Sequence, residues 1–374
     1  MITIAHVFIV DDNTFDVHLK YNFAGTGAKD RVGTYLIDNT IEIKAQTEKT
    51  LTGLFADISR IRKGDKIIFY LQQTTGRDGM FFGSFEATNS VFLCCDGYLD
   101  EKLQKKLIFR IQIKPYKVYA KGITERECLD SLEGIKHPHE ICWSLIYRKL
   151  KGNRGCTMIT DVEYEYIMNK IKSKNDKSLD NKNLRFNNST GQIECNTNYC
   201  LYEGKKQLVN IYERLKYKQQ RKNAYETHLQ AYLMQNLGQI NKLKVIDGDI
   251  TWIGNEMSCG VGMQSIDTIF IQEDDKTHIV ICELKDEQPK EDIKNQIYKY
   301  IDWIIQFIVP TIKNNVVIHP TIVAPTAKEK TLKMLQKENI CNYFDIFKGV
   351  EIEKTRYISF KIGNECLIFD KEKL

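Results

Sequence analysis

Ser265-Ile266-Asp267-Thr268-Ile269-Phe270-Ile271 and Ile279-Val280-Ile281-Cys282-Glu283-Leu284-Lys285 decide how this chain is read. Both are short, largely apolar runs, and the polar stretch Glu273-Asp274-Asp275-Lys276 lies between them. The pair reads as two adjacent strands joined by a turn. Asp267 stands near the start of one run, while Glu283 and Lys285 end the other. Residues two apart on a strand share a face, so Glu283 and Lys285 point the same way. Charges on a central apolar strand are costly unless something compensates them. A divalent cation between Asp267 and Glu283 would supply that compensation.

Phosphodiester hydrolysis uses the same parts. It needs a hard cation on oxygen ligands, with open positions for water and a phosphate oxygen. Lys285 would orient the attacking water or stabilise charge in the transition state. Two flanking elements fit around this centre. Glu226 falls on a long helix expected over 205–237, on the same broad face as Leu229 and Leu233. Gln296 and Tyr300 are four apart on a helix expected over 290–307, hence neighbours on one face. Strands are expected over 244–253 and 315–323, a helix over 327–337, and a closing hairpin over 356–369.

Asp267, followed by Glu283-x-Lys285 on the next strand, resembles the PD-(D/E)XK nuclease signature. Glu226 on a preceding helix and Gln296-x3-Tyr300 on the following one are also similar to that superfamily, the latter to its exonuclease-like and mismatch-endonuclease branches. The resemblance covers 205–374. It implies an α/β core of order αβββαβ and Mg2+-dependent cleavage, with Asp267 and Glu283 as metal ligands and Mn2+ as a substitute ion. Ile266 departs from the family pattern, which has proline before the aspartate. Ordinary roles stand beside these. Glu283 and Lys285 also suit an exposed cross-strand pair, Asp267 a turn residue and Glu226 a solvated helix position. Gln296 and Tyr300 also suit a packed helix face. His228 and His278 read as packing or surface histidines.

The first 170 residues read as mostly β, with short strands at 67–71, 80–85, 91–95, 107–113 and 118–120. Helices fit 51–61, 124–132 and 139–150. Gly64-Asp65-Lys66-Ile67-Ile68-Phe69-Tyr70 and Gly79-Met80-Phe81-Phe82-Gly83-Ser84-Phe85 resemble the EVE/YTH-like branch of the PUA-like fold, over 1–165. That resemblance implies an α+β domain, a curved β-barrel with helices, which holds a flipped modified base in an aromatic-walled pocket. Phe23-Ala24-Gly25-Thr26-Gly27-Ala28 reads as a small-residue loop after an aromatic, with Phe23, Gly25 and Thr26 as base-binding candidates. Trp143 and Tyr147, four apart, suit a stacking wall or an ordinary core face. Arg148, Lys149 and Arg154, around Gly152 and Gly155, suit phosphate contacts or a solvated surface.

The chain has 374 residues, enough for two or three domains. Its 42% hydrophobic and 28% charged residues exclude a largely disordered, collagen-like or membrane-spanning protein. Net charge is only +5, but 170–222 holds 13 Lys/Arg against 5 Asp/Glu. The stretch 171–204 reads as a polar, basic linker between domains at 1–170 and 205–374. Lys218, Arg221 and Lys222, just beyond it, are candidate DNA-backbone contacts. Eleven scattered cysteines and no evident signal segment lead us to expect a cytoplasmic protein with reduced thiols. Cys195-x4-Cys200, with His137 and His139, allows a zinc reading or plain free thiols.

Together these readings lead us to expect a Mg2+-dependent endonuclease of restriction type acting on modified double-stranded DNA. A homodimer would let one site per chain cut both strands. The rivals are a restriction enzyme reading unmodified DNA, a non-catalytic reader of modified nucleic acid, and a repair nuclease for mismatched DNA.

Overall fold

The computed structural model describes residues 4–27, 45–94, 96–130, 155–179, 182–198, 200–237, 249–259, 264–336 and 349–372. Two compact units divide the chain between Ile211 and Tyr212. Among the described residues, no helix is long and apolar enough to cross a membrane.

The first unit is built on β1 (Ala5–Val10), α1 (Asp12–Tyr21), β2 (Phe23–Thr26), α2 (Ala45–Ser59), β3 (Lys66–Leu71) and β4 (Met80–Ala87). It continues through β5 (Phe92–Leu93), α3 (Asp100–Leu103), β6 (Phe109–Lys117), β7 (Ile123–Thr124), α4 (Glu125–Leu129) and β8 (Cys156–Ile159). The last elements are α5 (Asp161–Ser173), β9 (Leu184–Asn187), β10 (Gln192–Cys195) and β11 (Gln207–Leu208). Parallel pairing of β1 with β3 sets two apolar strands side by side inside the sheet, and Ile67 to Leu71 are buried on both faces. The sheet runs β11-β5-β6-β4-β3-β1-β8, with β2 on β6 and β7 on β4. Where a curved β-barrel is expected, no pairing joins β11 to β8 among the described residues, which form an open mixed sheet.

Two further expectations are corrected in this unit. Residues 118–120 lie outside the strands; β6 instead extends to Lys117. Within 171–204, read as a linker, β9 and β10 form an antiparallel hairpin. Phe186 of that hairpin packs on Phe15 and Phe82 at ring-centroid distances of 4.9 and 5.4 Å. Sparse but well-placed apolar residues anchor a mostly polar segment. The expected helix at 139–150 lies outside the described residues.

The second unit comprises α6 (Ile211–Gln220), α7 (Glu226–Gln235), β12 (Trp252–Ser258), β13 (Ser265–Glu273), β14 (Thr277–Leu284) and α8 (Ile293–Phe307). Then come β15 (Val316–Pro325), α9 (Glu329–Gln336), β16 (Val350–Ile352), β17 (Arg356–Ile362) and β18 (Leu367–Lys371). β12, β13 and β14 form an antiparallel meander, β14 pairs in parallel with β15, and β17 and β18 complete the sheet. Ile293, Ile297, Tyr300, Ile301 and Ile304 make one helical stripe on α8, buried with Ile269, Ile279, Ile281 and Ile318 of the sheet. The helix expected over 205–237 is two helices. Lys222 takes a left-handed φ of 55°, and the Asn223 N–H donates to Lys218 O at 2.9 Å, which ends α6. Of the strand expected over 244–253, residues 244–248 lie outside the described residues, and β12 begins at Trp252.

Candidate active site

Asp267 and Glu283 meet because of register. Thr268 pairs with Cys282 and Ile269 with Ile281, so one further step places Asp267 opposite Glu283. There the ladder is continued by a side chain: the Leu284 N–H donates to Asp267 Oδ2 at 2.8 Å. Two carboxylates across a strand pair repel each other. Burial and the neighbouring Glu283 charge raise the Asp267 carboxyl to about 7. Burial also raises Glu283, against the pull of Lys285.

Lys285 lies just past the end of β14 and is the cation of this cluster. Its Nζ is 2.5 Å from Glu283 Oε1, 3.6 Å from Glu226 Oε2, and donates to Leu284 O at 3.0 Å. Burial works against its charge, yet Glu283, Glu226 and Asp267 together hold it above the ordinary lysine value. Glu283 is only 2% exposed, and its second oxygen, Oε2, has no hydrogen-bond partner among the described residues. The nearby Tyr300 hydroxyl favours the charged carboxylate, but donates its proton at 3.0 Å to Ser265 O.

Glu226 is the first residue of α7. Burial raises it to about 7, with Lys285 opposing and Asp267 and Asp286 reinforcing the rise. Gln296 Nε2 donates to Tyr300 Oη at 2.5 Å. Through Ser265 O this pair fixes the start of β13, two residues before Asp267. The structure therefore brings all six expected residues of this half into one region of one unit.

Three residues of the region were not expected. Glu256 of β12 stands opposite Asp267 in register and has a left-handed φ of 50°, a costly state for a non-glycine residue. Its charge helps to raise Asp267. Gln230, one turn beyond Glu226, donates to the Asp267 backbone oxygen at 2.8 Å. Asp286 follows Lys285 and accepts from the backbone N–H groups of Tyr225 and Glu226. Only the helical spacing of Gln230 from Glu226 and the adjacency of Asp286 to Lys285 were visible beforehand.

The donor set suits a hard cation. Asp267 and Glu283 offer carboxylate oxygens, and Glu283 Oε2 is a buried acceptor with no hydrogen-bond partner among the described residues. Among the described residues, no group of three or more His, Cys, Asp or Glu side chains is arranged to hold a metal. Two carboxylates suffice for Mg2+, which keeps several waters and takes further ligands from phosphate. Cys195 is exposed and Cys200 half-buried, both as free thiols. His137 and His139 lie outside the described residues.

The candidates in the first unit are placed differently. Phe23, Gly25 and Thr26 form buried β2, paired with β6, instead of an open loop. Phe23 packs on His18 and Tyr202 at 4.6 and 5.6 Å, with the Arg110 guanidinium 5.1 Å from its ring centre. A Cβ on Gly25 would come within 3.2 Å of the Phe23 ring, so glycine here serves close packing. Buried Arg110 donates to Leu107 O at 2.6 Å and to Tyr202 Oη at 3.0 Å. Burial, then Arg110, lowers His18 to about 3, which keeps it neutral. Trp143, Tyr147, Arg148, Lys149 and Arg154 lie outside the described residues. In the second unit Lys218 is buried, which removes it from the proposed DNA-contacting surface, while Arg221 and Lys222 are exposed.

Comparison with protein-family profiles gives no match, and comparison with curated proteins gives none. Among solved structures, the chain is similar to a hypothetical protein from Leishmania major at 14% identity and TM-score 0.29, covering 46% of this chain and 96% of that one. It is similar to a protein from Agrobacterium tumefaciens at 11% identity and TM-score 0.27, covering 48% and 100%. It is also similar to human THYN1, solved in complex with 5-methylcytosine-containing DNA, at 8% identity and TM-score 0.26, covering 46% and 98%.

Proposed function

We propose that the second unit hydrolyses phosphodiester bonds in double-stranded DNA with a divalent cation, and that the first unit selects the site by holding a modified base. The observation that carries the reading is the opposed pair of Asp267 and buried Glu283, with Lys285 2.5 Å from Glu283. Supporting it is the element order α7-β12-β13-β14-α8-β15, which is the αβββαβ order of the nuclease resemblance.

Asp267 and Glu283 would hold Mg2+, which when bound supplies an acidified water and offsets charge on the phosphate. Lys285 sits where it can orient that water or stabilise the developing charge. Glu226 keeps the ammonium near the centre when Glu283 is engaged elsewhere. Gln296 and Tyr300 hold the β13 backbone, and thereby Asp267, in place.

The division of labour is tested by digesting matched plasmids, unmodified and carrying 5-methylcytosine or other cytosine modifications, with Mg2+ present. Cleavage of a modified plasmid alone supports the reading. Equal cleavage of the unmodified plasmid assigns sequence reading to the first unit. Specific binding that is indifferent to chelator, with no cleavage, leaves a non-catalytic reader.

A further inference from the structure

Helix α7 begins without a cap of its own. The first N–H groups of any helix lack intrahelical partners, and a Ser, Thr, Asp or Asn side chain at the N-cap usually accepts from them. Here the N-cap is Tyr225, which provides no such hydrogen bond. The acceptor comes from 61 residues away. Asp286 Oδ2 accepts the Tyr225 N–H at 2.6 Å and the Glu226 N–H at 3.3 Å. A carboxylate at this position also complements the positive end of the helix.

Asp286 is the residue after Lys285. A single carboxylate therefore ties the end of the strand that carries Glu283 and Lys285 to the start of the helix that carries Glu226. One turn further on, Gln230 ties the same helix to the backbone of Asp267. We propose that Asp286 is a positioning residue, which sets the Glu226 carboxylate as the second partner of Lys285. The inference rests on the phosphodiesterase reading of this site. Its consequence is a hand-over: once Glu283 is engaged by a cation, Glu226, already 3.6 Å from Nζ, retains the ammonium at the centre.

The test compares wild type, D286A, D286N, E226Q and the D286A/E226Q double variant on a Mg2+-dependent nicking substrate. D286A should lower kcat about tenfold, with KM and Mg2+ affinity by calorimetry within about twofold. The asparagine amide oxygen still accepts, so D286N should recover kcat to within about threefold. The double variant should be no slower than E226Q, because both changes break one relationship. Amide exchange, which needs no cleavage, should quicken at Tyr225 and Glu226 in D286A and recover in D286N. Unchanged kcat in D286A, failed recovery in D286N, or full additivity with E226Q overturns the role of Asp286 alone. If D286A does not fold, D286E, whose carboxylate is displaced by one methylene, and D286E/E226Q take its place in the same comparisons. A wild type that never cleaves overturns the phosphodiesterase reading, and this inference with it.

Discussion

The Lys285 ammonium lies 2.5 Å from Glu283 Oε1 at a point where the carboxylate is 2% exposed. Removing the ammonium leaves a buried charge or forces it to take a proton. In the metal-free protein, K285M should cost roughly 2–3 kcal/mol at pH 8, somewhat below the span for a fully buried pair because Lys285 is 24% exposed. At pH 5 the cost should be smaller, since burial raises the Glu283 carboxyl and its neutral form needs no partner. Melting curves at both pH values check this, and an equal loss at each would contradict it.

Asp267 and Glu226 both titrate at about 7 in the folded chain, above the ordinary carboxylate values of 3.8 and 4.5. Between those limits the folded state holds more protons than the unfolded one, so stability falls as pH rises. The metal-free protein should lose melting temperature from pH 5 to pH 8, more steeply than D267N does. Excess Mg2+ should recover stability at pH 8 and little at pH 5. Equal slopes in wild type and D267N would refute this assignment.

Tyr300 links Gln296 to Ser265 O. Y300F removes the hydrogen bond to a carbonyl at the start of β13 and should cost about 1–2 kcal/mol. Cleavage should fall as well, because Asp267 lies two residues on. Unaltered melting would show that Ser265 O finds another donor.

Arg110 is buried and reaches Leu107 O, Tyr202 Oη and Asp100, with its plane near Phe23. Lysine carries the charge without the planar fork. R110K should destabilise the first unit by about 2 kcal/mol through unmade buried hydrogen bonds. A neutral effect on chemical denaturation would contradict this.

The second unit was legible where periodicity is strong. Apolar runs gave β13 and β14, and a 3.6-residue stripe gave α8. The break between α6 and α7 was hidden, because no glycine marks it and Lys222 itself takes the left-handed turn. Asp267, Glu283 and Lys285 stood out as charges near the ends of apolar strands. Glu256 did not, since its place opposite Asp267 depends on a register that only strand pairing reveals. In the first unit α5 went unread, although Thr160-x-x-Glu163 is a capping-box signal that the folded chain forms. The 23–28 stretch misled for a physical reason: small residues suit an open turn and a tightly packed strand equally well.

The central claim is that Glu283 serves chemistry. The direct measurement is the rate of nicking of a modified plasmid with Mg2+, for wild type and E283A, alongside binding to the same DNA. Cleavage by wild type that is lost in E283A and with chelator, while binding persists, is the predicted result. Cleavage retained by a folded E283A, or absent from wild type under every metal and modification tried, would contradict it.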